Sequence, residues 1–285
     1  MSYNDILQQH NTNLESILAS VNNLPSNKVY NGEMTGVGTL EGTSWENIRN
    51  IAAAGTGANY WAIGDAKSVM LNGAVGAVTF TNETYLFCIA GFNHNEQYEG
   101  KGIHFMLAKT LTGVNTAFTD GNNVTQGNTA GFRFNLQNSN NGGWESSYLR
   151  NTICQVLFNV LPVELQNAIG ECIKYTDNVA NNTSVASNVT ALKEKVFIPS
   201  EFEVFGKRTL ANTTEQTYQK QYDYYIAGNT KVRYCHKNTA EQAYWWSRSP
   251  VYNNNTDVRA FYSDTSEYGY AANYSFGIVP FFKVG

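Results

Sequence analysis

"WWSRSPVYNNNTDVRAFYSDTSEYGYAANYSFGIVPFF", Trp245 to Phe282, is the stretch on which the reading of this chain turns. Its ends are aromatic and apolar, and its middle, Tyr252 to Phe276, is built mostly of Asn, Tyr, Ser, Asp and Ala. A Trp pair beside a Pro and bracketed by strand-like residues reads as a locked core, with Arg248 bonding carbonyls of a neighbouring loop. The middle holds five tyrosines: Tyr252, Tyr262, Tyr268, Tyr270 and Tyr274. Tyrosine offers a large, rigid, amphipathic surface at low entropic cost, and Asn, Ser and Gly add adaptable donors and acceptors, the mixture that antibody loops use. The spacing by two at 268/270 and by four at 270/274 places these rings on one face of short strands and turns. A rigid frame carrying an uncharged aromatic face, able to stack on a sugar or anchor a protein loop, is the expectation.

Composition narrows the class. With 42% hydrophobic and 13% aromatic residues and a net charge of −4, the chain is not expected to be disordered. A pI near 5.6 leaves no electrostatic footprint for nucleic acid or an anionic membrane. No stretch approaches the roughly 18 apolar residues of a membrane span, so membrane insertion is not expected. Met1-Ser-Tyr-Asn-Asp lacks a basic region followed by an apolar one, which predicts synthesis in the cytoplasm without an ordinary export signal. The 36 asparagines suit a loop-rich fold rather than a highly helical one. Cys88, Cys154, Cys172 and Cys235 are far apart and form no ligand spacing, so each reads as a small buried hydrophobe.

Along the chain, residues 1–25 read as a helix ending before Pro25. Leu7, Leu14 and Val21, with His10, Ile17 and Leu24 offset by three, form an a/d seam that predicts a short parallel coiled coil and a homotrimer. Residues 26–44 read as a linker. "SWENIRNIAAAG" predicts a helix with Ser44 as N-cap and Gly55 as stop. Strands are predicted at 60–71, 74–82, 85–92 and 102–111, forming a mainly antiparallel sheet. Two core helices follow a Gly/Asn-rich stretch, 119–143: "WESSYLRNTICQVLFNVLP", with Leu149, Ile153, Val156 and Leu157 on one face, and "PVELQNAIGECIKYT", opened by Pro162. "ALKEKVFIPSEFEVFG" is read as a return to strand, and the fold class as α+β.

The order of "YWAIGDAK" (60–67), "GGWESSYLRNTI" (142–153), "LPVELQNAI" (161–169), "VFIPSEFEVFG" (196–206), "QYDYY" (221–225), "WWSRSP" (245–250) and "FGIVPFF" (276–282) resembles a family of bacterial and phage proteins with a C-type-lectin-like fold. The resemblance covers roughly 45–285. This chain departs from the family pattern at Ser247 and Val279, where members carry Leu and Arg. Some members are variable proteins of diversity-generating retroelements, in which a reverse transcriptase miscopies adenines so that Asn codons near the end of the gene change. The resemblance implies a ligand-binding domain over 45–285 with a variable region at about 251–276. In that pattern Gly277, Pro280 and Ala272 are fixed, whereas Tyr268, Gly269, Tyr270, Asn273, Tyr274 and Phe276 fall on Asn positions, joined by Ser263, Asp264 and Ser266. Rewriting the first two bases of AAC or AAT yields no Lys, Gln, Glu, Met or Trp. These five types total 48 in the chain, yet only Glu267 lies between Tyr252 and Phe276.

The expected ligand-binding residues are therefore Tyr252, Asn253, Asn254, Asn255, Asp257, Tyr262, Ser263, Asp264, Ser266, Tyr268, Gly269, Tyr270, Asn273, Tyr274 and Phe276. The implied partner is a host-cell surface protein or glycan, and the implied place a virion, as a phage tail protein, or a cell surface. A carbohydrate-binding or adhesion module of fixed specificity is the alternative. A formylglycine-generating enzyme, which shares the broad fold, needs paired cysteines near the C-terminus, and only Cys235 lies there. Cys235 and His236 are adjacent in a strand and point apart, so they predict no dyad. His94 and His104 with Glu96 and Glu99 match no metal-ligand spacing and read as a surface loop. Asp257 and Asp264 lack the clustered acidic loop of a calcium site. No catalytic residue, metal or cofactor is expected.

Overall fold

Only Gly76 and Ala77 separate two long strands, β1 (Ala66–Val75) and β2 (Val78–Phe92), and Gly76 takes the left-handed φ of +57° that so short a turn needs. The computed structural model describes residues 37–121, 123–126 (backbone only), 130–265 and 268–285. The N-terminal helix and homotrimer expected from 1–25, and Ser266, lie outside the described residues.

β1 and β2 start an antiparallel sheet that continues through β3 (Ile103–Thr110), β16 (Phe281–Val284) and β6 (Ile169–Gly170), with β9 (Val196–Phe197) also on β16. The last strand of the chain is thus a central one. Phe282 faces Phe105 at 5.6 Å and Phe87 at 5.4 Å between ring centroids, and Trp45 closes on Phe105 at 5.3 Å. Smaller sheets complete the fold. β4 (Thr116–Ala117) runs parallel to β10 (Arg233–Cys235), which also pairs with β11 (Gln242–Ala243). β5 (Asn123–Gln126) pairs with β15 (Tyr274–Ser275), β7 (Cys172–Asp177) with β8 (Val189–Glu194), and β12 (Trp245–Pro250), β13 (Asp257–Phe261) and β14 (Tyr268–Ala271) form a three-stranded sheet. Mixed α+β with mostly antiparallel pairing is the architecture. Among the described residues no helix is long and apolar enough to cross a membrane.

The helix Trp45–Ala54 matches its sequence signals: Ser44 Oγ accepts from Asn47 N–H at 3.2 Å, and Gly55, at φ +77°, donates to Ala52 O. Other elements differ from expectation. The strand expected over 74–82 straddles the hairpin turn, and the first strand begins at Ala66 rather than Tyr60. The second core helix spans only Val163–Ala168, because Ile169 and Gly170 pair with β16 and Cys172–Asp177 with β8. The first opens as a wide turn at Leu149–Cys154 before Gln155–Val160, and buries Leu149, Ile153 and Leu157. "SEFEVFG" is helical over Glu201–Phe205, because Ser200 and Glu203 form a reciprocal capping box. The expected linker also reaches into the fold. Val37 and Leu40 are buried in the core, and the Lys67 ammonium donates to Glu41 O at 2.6 Å.

Candidate functional site

The β12–β13–β14 sheet has two unlike faces, set by its period of two. Trp245 pairs with Phe261, and these with Arg259 lie on one face, where the Arg259 guanidinium meets Glu201 at 3.2 Å. Trp246 pairs with Ala260, Ala260 with Tyr268 and Val258 with Tyr270, so the two tyrosines share the other face. There they join a ring cluster centred on Tyr244. Tyr244 stacks on Tyr262 at 4.2 Å and stands edge-on to Tyr270 at 5.0 Å, while Tyr274 lies 6.0 Å from Tyr270. Tyr268 is 47% exposed; Tyr244, Tyr262, Tyr270 and Tyr274 are half-buried. Burial, then hydrogen bonding to Tyr244, raises the Tyr270 hydroxyl above its ordinary pKa, so it remains a neutral donor.

Phe276 does not reach this surface. It is 1% exposed, packed on Trp246 at 4.7 Å and Tyr244 at 5.1 Å, with its backbone bridged to Phe132. It is the base of the cluster rather than a contact residue. Gly269 is also constrained, since a Cβ there comes within 2.9 Å of Val251 Cγ2. Gly277 and Ala272 are framework. A side chain on Gly277 meets Ala117 Cβ at 2.9 Å, and Ala272 is fully buried.

The loop between β12 and β13 is held from outside. Buried Asn140 donates through Nδ2 to Asn254 O and Asp257 O, both at 2.8 Å, and through its backbone to Asn255 O at 3.0 Å. The Asn254 side chain turns inward, accepting from the N–H groups of Thr256 and Asp257. Asn253 and Asn255 are exposed, and Tyr252 is half-buried with the Arg208 guanidinium 5.7 Å above its ring. Asp257 accepts from the Thr256 hydroxyl, and exposed Asp264 accepts from Lys231 N–H at 2.6 Å and from the Thr230 hydroxyl. Half-buried Ser263 accepts from Thr265 N–H, and half-buried Asn273 keeps its Oδ1 buried without a partner among the described residues. The outward-facing members of the expected set are thus Asn253, Asn255, Asp264, Tyr268 and the rims of Tyr252, Tyr262, Tyr270 and Tyr274. Tyr244 was not singled out, although it precedes the Trp pair and shares the parity of Trp246.

A second cluster corrects the surface-loop reading of His94, His104 and Glu99. His94 and His104 are 0% exposed and Glu99 5% exposed. The Lys174 ammonium lies 2.6 Å from Glu99 Oε2, 3.0 Å from Glu203 Oε1 and 2.9 Å from the Tyr222 hydroxyl. Arg248 forks onto Glu203, with Nη2–Oε1 at 2.9 Å, and donates to Ile198 O and the Thr176 hydroxyl. Its main partner is therefore a carboxylate, with one carbonyl beside it. Burial pushes Glu203 upward, but Arg248 and Lys174 outweigh it and hold the carboxyl well below the usual range; burial dominates at His94 and His104 and keeps both neutral. Two donor sets, Glu99 with His104 and Cys172, and His94 with Glu99 and Glu203, gather within 4.8 Å, and the cations bonded to these carboxylates are Lys174 and Arg248. Elsewhere His236 Nδ1 bonds the Thr119 backbone, and burial pushes the Cys235 thiol up to about 12, leaving no thiolate at neutral pH.

A family model described as a domain of unknown function, DUF6273, matches residues 122–285. The chain belongs to the DUF6273 family. No curated protein and no solved structure matches the chain. The DUF6273 match takes in the tyrosine face, Asn140, Lys174, Glu203 and Arg248. It leaves out β1, β2 and β3, although its own last strand, β16, pairs with β3.

Proposed function

We propose that this DUF6273 chain is a non-enzymatic receptor-binding protein with a C-type-lectin-like fold, whose 252–276 face is diversified by a retroelement. Its role is that of a phage tail-tip protein that meets a host-cell surface protein or glycan, assembled as a homotrimer through residues 1–25. One observation carries the reading. The backbone of the 252–257 loop is fixed by buried Asn140, outside the variable stretch, while Asn253 and Asn255 face outward. A loop tied down by a group outside itself tolerates exchange of its outward side chains without loss of fold. The tyrosine cluster beside it supplies rigid, uncharged contact area, the chemistry of a binding face rather than of a catalytic one.

The neighbouring DNA tests diversification directly. An Asn-rich copy of the 252–276 coding sequence beside a reverse-transcriptase gene is expected; finding neither removes diversification but leaves binding. Binding is tested by adsorption of the protein to host cells, which Tyr268→Ala is expected to abolish while leaving the melting curve unchanged. Unaltered adsorption would move the recognition surface elsewhere. Light scattering on the full chain and on residues 26–285 tests assembly, with equal subunit counts removing residues 1–25 as the assembly element.

A further inference from the structure

The motif "GGWESSYL", Gly142 to Leu149, builds something besides the core. Gly142 and Gly143 have left-handed φ of +82° and +53°, and a Cβ on Gly143 falls 2.1 Å from Asp177 O, so the turn lies hard against β7 and admits only glycine there. The segment this turn leads into, from Ser146 to Asn151, forms one wall of a groove of about 380 Å³, and the loop from Asn135 to Asn141 forms the other. Asn135 ties the walls together. Its Oδ1 accepts from Tyr148 N–H at 3.0 Å and its Nδ2 donates to Ser139 O at 2.7 Å.

These bonds hold the bed of the groove and leave other groups unused. The side chains of Gln137, Asn141 and Ser146 are exposed, and with the Tyr148 hydroxyl they have no hydrogen-bond partner among the described residues. No lining group carries a formal charge; neighbouring Arg150 is paired with Glu194 at 2.6 Å and donates to the lining Asn151 Oδ1 at 3.0 Å. A charged ligand finds no unpaired counter-charge here, since Arg150 is already held by Glu194, and its desolvation is poorly offset. An apolar one leaves the amides and hydroxyls unpaired, which costs more than its contacts return. Leu136, 51% exposed, and the Tyr148 ring supply an apolar ridge among these polar groups. An uncharged ring with hydroxyls on its rim and C–H bonds on its face satisfies both kinds of surface.

We infer that the groove between Asn135–Asn141 and Ser146–Asn151 binds an uncharged saccharide. The site stands apart from the tyrosine face and does not rest on the function proposed for it. The two are neighbours nonetheless, because Asn135 N–H donates to Ala272 O at 2.9 Å and Asn140 pins the 252–257 loop.

Saturation-transfer NMR on the full chain tests the site with neutral hexoses and N-acetylhexosamines, and with glucuronate and glucosamine as charged comparators. At least one neutral sugar is expected to receive transfer and the charged ones not. The double variant Gln137→Ala/Asn141→Ala is expected to weaken binding at least tenfold. Ser146→Phe, which fills the groove from the opposite wall, is expected to do the same, and Tyr268→Ala to change nothing. Near-UV circular dichroism confirms that the variants retain the fold. Absence of transfer to any neutral sugar, equal transfer to the charged ones, or binding that survives both groove variants overturns the inference. Loss of sugar binding in Tyr268→Ala places the sugar on the tyrosine face and overturns it as well.

Discussion

The Glu203–Arg248–Lys174 cluster and the 252–276 face meet in sequence at Arg248 and are opposite in construction. In the cluster, charged side chains are fully buried and bonded to one another, so each is held by several partners and none is replaceable alone. On the face, the backbone is held by Asn140 and by strand pairing, while Asn253, Asn255 and Tyr268 owe the fold almost nothing. The difference teaches where stability has been put. Buried charge fixes the frame, and on the function proposed above the outward positions are left to carry the side chains that meet a ligand.

The sharpest way to break this contrast is at Arg248. Arg248→Leu takes from buried Glu203 its forked partner and leaves Lys174 as its remaining cation, and is expected to cost roughly 3–5 kcal/mol by urea denaturation; a loss below about 1 kcal/mol would mean the frame is anchored elsewhere.

A pH experiment addresses the same core. Burial raises Glu215 to about 7 despite its bonds to Asp177 N–H and Ser249. A carboxyl whose folded pKa lies above its unfolded value near 4.3 subtracts stability as pH rises through that window, here on the order of 3 kcal/mol. Glu215→Gln cannot ionise, so its stability relative to wild type is expected to climb between about pH 4.3 and 7 and stay level above. Parallel profiles for the two proteins would show that Glu215 does not titrate in this range.

Asn140→Ala tests the pin between the two regions. It leaves Asn254 O and Asp257 O without their buried donor and is expected to cost roughly 1–3 kcal/mol, together with faster amide exchange confined to 252–257. Gly269→Ser forces Val251 to yield and is expected to cost about 1 kcal/mol, separating this position from its freely exchangeable neighbours. The smallest effect belongs to the face itself. Asn253→Tyr and Tyr268→Ala are each expected to shift stability by less than about 0.5 kcal/mol, and a larger shift would place these side chains in the frame.

Local signals carried part of this organisation. The helix at 45–54 was legible because its cap, apolar spacing and glycine stop agree within one segment. The shared face of Tyr268 and Tyr270 was legible because strand parity fixes it. Tyr244 obeys the same parity with Trp246 and was within reach of that argument. The burial of His94, His104 and Glu99 was not, because Lys174, Glu203 and Tyr222 come from 70 or more residues away to meet them. Nor was the role of Asn140. One asparagine among 36 is indistinguishable until the loop it holds, more than a hundred residues on, is folded against it.

By itself, then, the sequence determined which segments turn, cap and alternate, and which residue types crowd the 252–276 stretch, since these depend on neighbours along the chain. The tertiary structure decided which of those side chains face water, put Phe276 beneath the tyrosines instead of among them, and drew the scattered charges into one buried cluster. Burial and long-range pairing are properties of distance in space, and closure of β16 between β3 and β6, with the pairing of β4 with β10, brings the two halves of the chain near enough to set them.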